Sequence, residues 1–107
     1  MFKGVNCNQL TSVSFPGTIS WIGPSAFSGC SRLSGTLNVP SGVTAINNYS
    51  FQNCSSFTGT LTIPSTITSV NAYAFSGCTG FTSLSVASPS ATFVNPTAFT
   101  GDQIHYP

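Results

Sequence analysis

Charge is nearly missing from this chain. Its 107 residues include two basic side chains, Lys3 and Arg32, a single acid, Asp102, one histidine, His105, and no glutamate. Two scattered cations cannot form the basic stripe that displaces counterions from a phosphate backbone, so nucleic acid is excluded as a partner. Acidic calcium loops, phosphate loops and dinucleotide fingerprints are absent, and no cofactor is expected. His105 and Asp102 both lie in the terminal tail, and no strand-turn glycine motif presents a serine, so a hydrolytic triad is set aside and no enzyme activity is expected. Long apolar runs are missing too. Nothing approaches the ~20 residues of a membrane span, and the start, Met1-Phe-Lys-Gly-Val, lacks the apolar core of a secretory signal.

What the chain has in abundance is small and polar. Ser, Thr and Asn supply 40 of the 107 residues. Such a composition is ordinarily that of a disordered segment, but here the apolar residues recur in fixed places. Ser25-Ala-Phe-Ser-Gly-Cys30, Ser50-Phe-Gln-Asn-Cys54, Tyr73-Ala-Phe-Ser-Gly-Cys78 and Thr97-Ala-Phe-Thr-Gly-Asp102 fall in register, with Phe27, Phe51, Phe75 and Phe99 spaced 24 apart. Pro16, Pro40 and Pro64 keep that period, as do Ile22, Ile46, Val70 and Val94. Self-similarity at one fixed period marks a repeat solenoid, in which each coil rests on its neighbours. The repeats start near Cys7, Cys30, Cys54 and Cys78, giving about four coils in a single domain over residues 1–107, a fragment or short member of a longer array.

Each coil can be assembled from its residue types. Ser12-Val-Ser-Phe15, Thr36-Leu-Asn-Val39, Thr60-Leu-Thr-Ile63 and Ser83-Leu-Ser-Val86 alternate hydroxylic or amide with apolar residues, the period of a half-buried strand. One strand per coil predicts a four-stranded parallel sheet on one face, with Val13, Leu37, Leu61 and Leu84 as one interior column. Leu33-Ser-Gly-Thr-Leu37 and Phe57-Thr-Gly-Thr-Leu61 carry one residue more than Phe81-Thr-Ser-Leu84. After the strand comes a short apolar stretch, then Gly23-Pro24, Asn47-Asn48, Asn71-Ala72 and Asn95-Pro96, which suit a helix cap and first helical position. Gly29, Asn53, Gly77 and Gly101 accept the left-handed conformation that ends helices. A single helical turn per coil is expected there.

These residues resemble the BspA-like leucine-rich repeat, Leu-x-x-Ile-x-Ile-Pro-x-x-Val-x-x-Ile-x-x-x-Ala-Phe-x-x-Cys, which Leu10-Thr-Ser-Val-Ser-Phe-Pro16 through Phe27-Ser-Gly-Cys30 follows almost position for position. The likeness runs from about residue 7 to 102, where Asp102 stands in place of the repeat's Cys. It implies a leucine-rich-repeat solenoid with a parallel sheet on one face and short helical turns on the other. It also implies a noncatalytic extracellular or cell-surface module that adheres to host matrix or neighbouring cells through a protein or glycan ligand. A structural module that stacks on copies of itself through its end coils is the alternative, since both end coils would present unpaired strands with little charge to deter pairing.

Two surfaces stand out as candidate sites. Ser12, Thr36, Thr60 and Ser83 form one polar column, with Ser14, Asn38, Thr62 and Ser85 beside it, a flat uncharged face suited to many weak hydrogen bonds. Its Thr-x-Thr pattern also resembles ice-binding β-solenoids, a distant alternative, since only Thr60 and Thr62 keep threonine at both places. The aromatic residues Trp21, Tyr49, Tyr73 and Phe93 are the second candidate, because Trp and Tyr offer large contact area at small entropic cost. For the cysteines, one-coil spacing argues against a metal site. Equivalent Cα atoms ~4.8 Å apart lie within disulfide range, so pairing stays open. The expectation is a column of small buried thiols, with Cys30, Cys54 and Cys78 reduced.

Overall fold

The computed structural model describes residues 9–15, 19–87 and 93–104, and of Phe93 the backbone alone. The expectations placed on Cys7, Pro16, His105 and the Phe93 side chain lie outside the described residues. Among these residues five strands form, β1 (Ala45–Ile46), β2 (Gly59–Ile63), β3 (Ser69–Val70), β4 (Phe81–Val86) and β5 (Phe93–Val94). They make two parallel sheets, one ordered β1-β3-β5 and one pairing β2 with β4.

Phenylalanine explains why the coils stack. Phe27, Phe51, Phe75 and Phe99 form a ladder with ring centroids 5.4, 5.5 and 5.6 Å apart and planes within 8° of parallel. A second column, Phe57 over Phe81 at 5.9 Å, meets the first edge to face at 6.4 and 6.5 Å. Offset-stacked and edge-to-face pairs add about 0.5–1.5 kcal/mol each beyond the area they bury. Leu33, Leu37, Ile46, Leu61, Ile67 and Val70 close around the rings, all within 2% of complete burial. With so few charges, this apolar interior and the backbone ladders carry the stability.

The expected four-stranded sheet forms only in its second half. β2 and β4 pair in parallel with Leu61 opposite Leu84 and Thr60 opposite Ser83, and the register shifts between Gly59 and Thr60. That shift falls where the third coil has its additional residue, and Gly59 absorbs it at φ 76°. Between the second and third coils the ladder shrinks to a single bridge, Gly35 to Phe57. No strand forms over Ser12–Phe15 or Thr36–Val39. The interior column is therefore uneven: Leu37 and Leu61 are buried, whereas Val13 and Leu84 are half-buried and pack against the core from its margin.

The helical turns expected after Gly23, Asn47, Asn71 and Asn95 do not form either. Amide donors alternate between two destinations there. Ala26, Ser28 and Cys30 donate to carbonyls three residues back, while Ser25, Phe27 and Gly29 donate to Asn48, Ser50 and Gln52 of the next coil at 2.8–2.9 Å. The next coil repeats this: Tyr49, Phe51 and Asn53 donate to Ala72, Ala74 and Ser76. An α-helix would spend every amide within its own turn, so the inter-coil bonds replace it. The alternation is made possible by left-handed residues, Ser25, Tyr49 and Tyr73 at φ 56–60° and Gly29, Asn53, Gly77 and Gly101 at φ 62–85°. The latter four are the positions at which the sequence predicts that conformation.

Cys30, Cys54 and Cys78 are each completely buried, as expected. The expectation of a reduced Cys30 fails, because Cys30 is disulfide-bonded. One coil repeat brings cysteines within bonding reach, so spacing alone does not choose between thiol and disulfide. Cys54 and Cys78 are free. Their thiols donate instead to the carbonyls of Phe27 and Phe51 at 3.2 and 3.0 Å. Hydrogen bonding with Cys54, and then burial, push the Cys78 thiol far above its ordinary range. The Cys78 sulfur is therefore not poised as a nucleophilic thiolate. In the native protein Cys54 and Cys78 are accordingly expected to resist a thiol reagent over hours and to react within minutes once unfolded, whereas Cys30 reacts only after reduction. Rapid native labelling of Cys54 or Cys78, followed by peptide mapping, would contradict this.

Candidate functional site

The alternation that turns Val13, Leu37, Leu61 and Leu84 toward the core turns the residues between them outward. Ser12, Ser14, Thr36, Asn38, Thr60, Thr62, Ser83 and Ser85 are all exposed. On the paired half of this face the side chains also bond across the coils, with the Thr60 and Ser83 hydroxyls 2.6 Å apart.

On the unpaired half the face opens. Ser12, Ser14, Thr36 and Asn38 line a groove of about 330 Å³ whose walls are the Ser12–Phe15 and Thr36–Val39 segments and whose lining reaches Phe57. One end is closed by Ser34, which donates its amide at 3.1 Å and its hydroxyl at 3.3 Å to the Thr11 carbonyl. Beyond that point the backbone amides and carbonyls of Thr36, Leu37, Asn38 and Val39 make no hydrogen bond to any of the described residues. They stand as a strand edge with donors and acceptors open to a ligand. Among the described residues no charged side chain lines the groove. Its volume is at the small end of ligand sites, and it mixes hydroxyls with an apolar floor of Val13, Leu37 and Phe57.

The aromatic candidates divide. Tyr49 and Tyr73 stack with centroids 5.3 Å apart and planes 9° from parallel, Tyr49 exposed and Tyr73 half-buried. Both sit at positive φ, a conformation tyrosine seldom adopts, held by the inter-coil amide bonds of the same turn. Trp21 is 65% exposed and is not a core residue. Its ring lies over Gly23, where any Cβ would come within 2.8 Å of it, so glycine gives the indole room to lie flat. Trp21 belongs to the sequence column of Ala45 and Ser69, which open β1 and β3, rather than to the hydroxyl columns of β2 and β4, and is itself in no strand. The hydroxyl residues and the aromatics therefore do not converge on one site.

Three features escaped the reading of the sequence. The groove arises from the missing ladder between the first and second coils, and the residue types there match those of the paired coils, so composition carries no signal for it. Ser50 is completely buried in the column of Ala26, Ala74 and Ala98, its hydroxyl donating toward the carbonyls of Gly23 and Asn47 at 3.1 and 2.9 Å. Asp102 is buried with neither carboxylate oxygen hydrogen-bonded. Its place in the cysteine column was the available signal.

Among the described residues no cluster of histidine, cysteine or acid could hold a metal ion. Among the same residues no helix is long and apolar enough to cross a membrane. The model of the BspA type leucine rich repeat region matches residues 2–106 in 6 copies. No curated protein and no solved structure matches the chain.

Proposed function

We propose, from the premise that this chain belongs to the BspA-type leucine-rich-repeat family, that it is a noncatalytic solenoid module which binds a protein ligand at a cell surface or in the extracellular space. Leucine-rich repeats are in general a protein-interaction fold, and the BspA type is associated with surfaces and adhesion. The observation that carries the reading is the exposure of all eight hydroxyl and amide residues of one face, half of them around an uncharged groove with an unpaired backbone edge. Hydrogen bonds from that edge and from the hydroxyls favour an uncharged stretch of a protein ligand, since a charged one would lose its hydration with no counter-charge to replace it. The Tyr49–Tyr73 stack and, separately, the exposed Trp21 offer aromatic contacts that can anchor the same partner or a glycan.

Replacing Thr36, Thr60 and Thr62 together by lysine tests this. The three side chains are exposed, so the fold should survive with less than about 1 kcal/mol lost. Binding to a panel of matrix proteins or to cells in a solid-phase assay should fall at least tenfold, because three ammonium groups would have to be desolvated against a neutral ligand. If the module instead stacks on copies of itself, the triple variant should assemble normally in light scattering, while Ser12→Lys or Thr100→Lys disperses it. A wild-type chain that stays monomeric and binds no protein, glycan or cell would overturn the reading. Freezing-point hysteresis in that sample would point to the ice-binding alternative.

A further inference from the structure

The column Cys30, Cys54, Cys78, Asp102 hides a regularity in its hydrogen bonds. The first two phenylalanine carbonyls beside it each take two donors. Phe27 O accepts the Cys30 amide at 3.1 Å and the Cys54 thiol at 3.2 Å. Phe51 O accepts the Cys54 amide at 3.2 Å and the Cys78 thiol at 3.0 Å. The thiol arrives from 27 residues further along in both cases. Phe75 O accepts the Cys78 amide at 3.2 Å and nothing more. Twenty-seven residues beyond Phe75 stands Asp102, whose own amide donates to Phe99 O as each cysteine's does to its phenylalanine.

Asp102 is 6% exposed, and both of its oxygens lack a partner. An ionised carboxylate accepts only, so beside a carbonyl awaiting a donor it would set lone pairs against lone pairs in a dry site. A protonated carboxyl has one O–H to give. We infer that Asp102 is held as a neutral acid whose hydroxyl donates to the Phe75 carbonyl, taking the part of the thiol in the other coils, and that losing this proton unlatches the last described coil.

The surroundings agree. Burial raises the Asp102 pKa from 3.8 to about 7. The amides of Gly77 and Cys78 pull the other way, but both are already given to Thr100 O and Phe75 O. Among the described residues the titratable side chain that faces Asp102 is Cys78, with Cys54 behind it, and neither brings a positive charge. Arg32, the one basic residue among those described, is exposed in the second coil.

The direction of the pH effect follows from linkage. Between pH about 4 and about 7 the folded state keeps a proton that the unfolded chain has released, so stability falls as pH rises through this window and levels off above it. This is the reverse of the usual salt-bridged aspartate.

Two measurements on the full chain test the proposal. The carboxyl carbon of Asp102, followed by NMR, is expected to titrate near pH 7, and the unfolding constant from urea melts is expected to rise with pH by up to about tenfold per unit. His105 titrates in the same range by its ordinary chemistry, so both are read in a His105→Gln background. Asp102→Cys, which restores the column's own donor, and Asp102→Asn, which supplies an amide, should each flatten the profile. An Asp102 carbon titrating in the ordinary carboxylate range would overturn the inference, as would an unchanged slope in either variant. Should a variant fail to fold, the wild-type carbon titration decides alone.

Discussion

Phe51→Ala is expected to remove about 3–5 kcal/mol of stability, the usual cost of emptying a fully buried phenylalanine site. The side chain has no exposed surface and is stacked on both faces, by Phe27 at 5.4 Å and Phe75 at 5.5 Å, with Phe57 at its edge. Truncation forfeits the transfer energy of the ring and leaves a void between two rings that cannot collapse, since the inter-coil amide bonds fix their spacing. For a domain of this size the melting temperature should fall by at least about 15 °C. Phe75→Ala should cost as much, its ring lying between Phe51 and Phe99 with Phe81 at its edge. Phe99→Ala should cost less, because among the described residues Phe99 stacks on Phe75 alone and is 7% exposed. Thermal melts of the three variants supply the ranking. Equal losses at all three positions would mean that the rings contribute independently rather than as a stack.

The phenylalanine column was legible because a mark repeated four times at one spacing leaves a single way to align the coils. The same repetition revealed the buried cysteines and the left-handed residues Gly29, Asn53, Gly77 and Gly101, types whose chemistry suits the conformation they adopt. Ser25, Tyr49 and Tyr73 hold it as well, with no such mark, because neighbouring coils impose it through the amides. That is why an Asn- or Gly-led turn reads as a helix start: the cap signature is shared, and what separates the two outcomes is the destination of each amide in the next coil. The extent of the sheet was hidden for a related reason. Thr36–Val39 alternates as regularly as Thr60–Ile63, yet only the latter finds a ladder partner, and alternation specifies a face rather than a neighbour. The two-residue strands β1, β3 and β5 are too short to alternate at all.

For the candidate site, the outward direction of the eight polar residues came from alternation, whereas the groove among four of them came from a failure of pairing that alternation does not encode. The proposed binding face thus has two physically different halves. Around Thr60 and Ser83 the hydroxyls already satisfy one another and the backbone is paired. Around Thr36 and Asn38 the backbone pairs with none of the described residues. A ligand gains more where its hydrogen bonds replace water than where they must displace bonds within the protein, so the unpaired half should dominate recognition.

Gly80→Ala should cost about 3 kcal/mol, the upper end of the usual overpacking range. A Cβ at Gly80 would run into the carbonyl oxygen of Phe57 and lie 2.9 Å from that of Ser55 and 3.2 Å from the carbonyl carbon of Phe57. All three are backbone atoms, so no side chain can swing aside. The same column carries Arg32 and Ser56 in the preceding coils, which shows that a side chain is tolerated there in principle. What differs at Gly80 is the register: Phe81 pairs with Gly59, only 22 residues away, before the shift that brings Thr60 opposite Ser83. The start of β4 is thereby drawn under the Phe57 carbonyl. An added methyl has to push the fourth coil off the third, lengthening the β2–β4 ladder bonds and parting Phe57 from Phe81. Amide exchange should therefore speed up along β4 and at Thr60–Ile63 while Ala26–Cys30 keeps its protection, and the urea midpoint should fall. A Gly80→Ala protein as stable as wild type would mean that the third and fourth coils do not meet at this register.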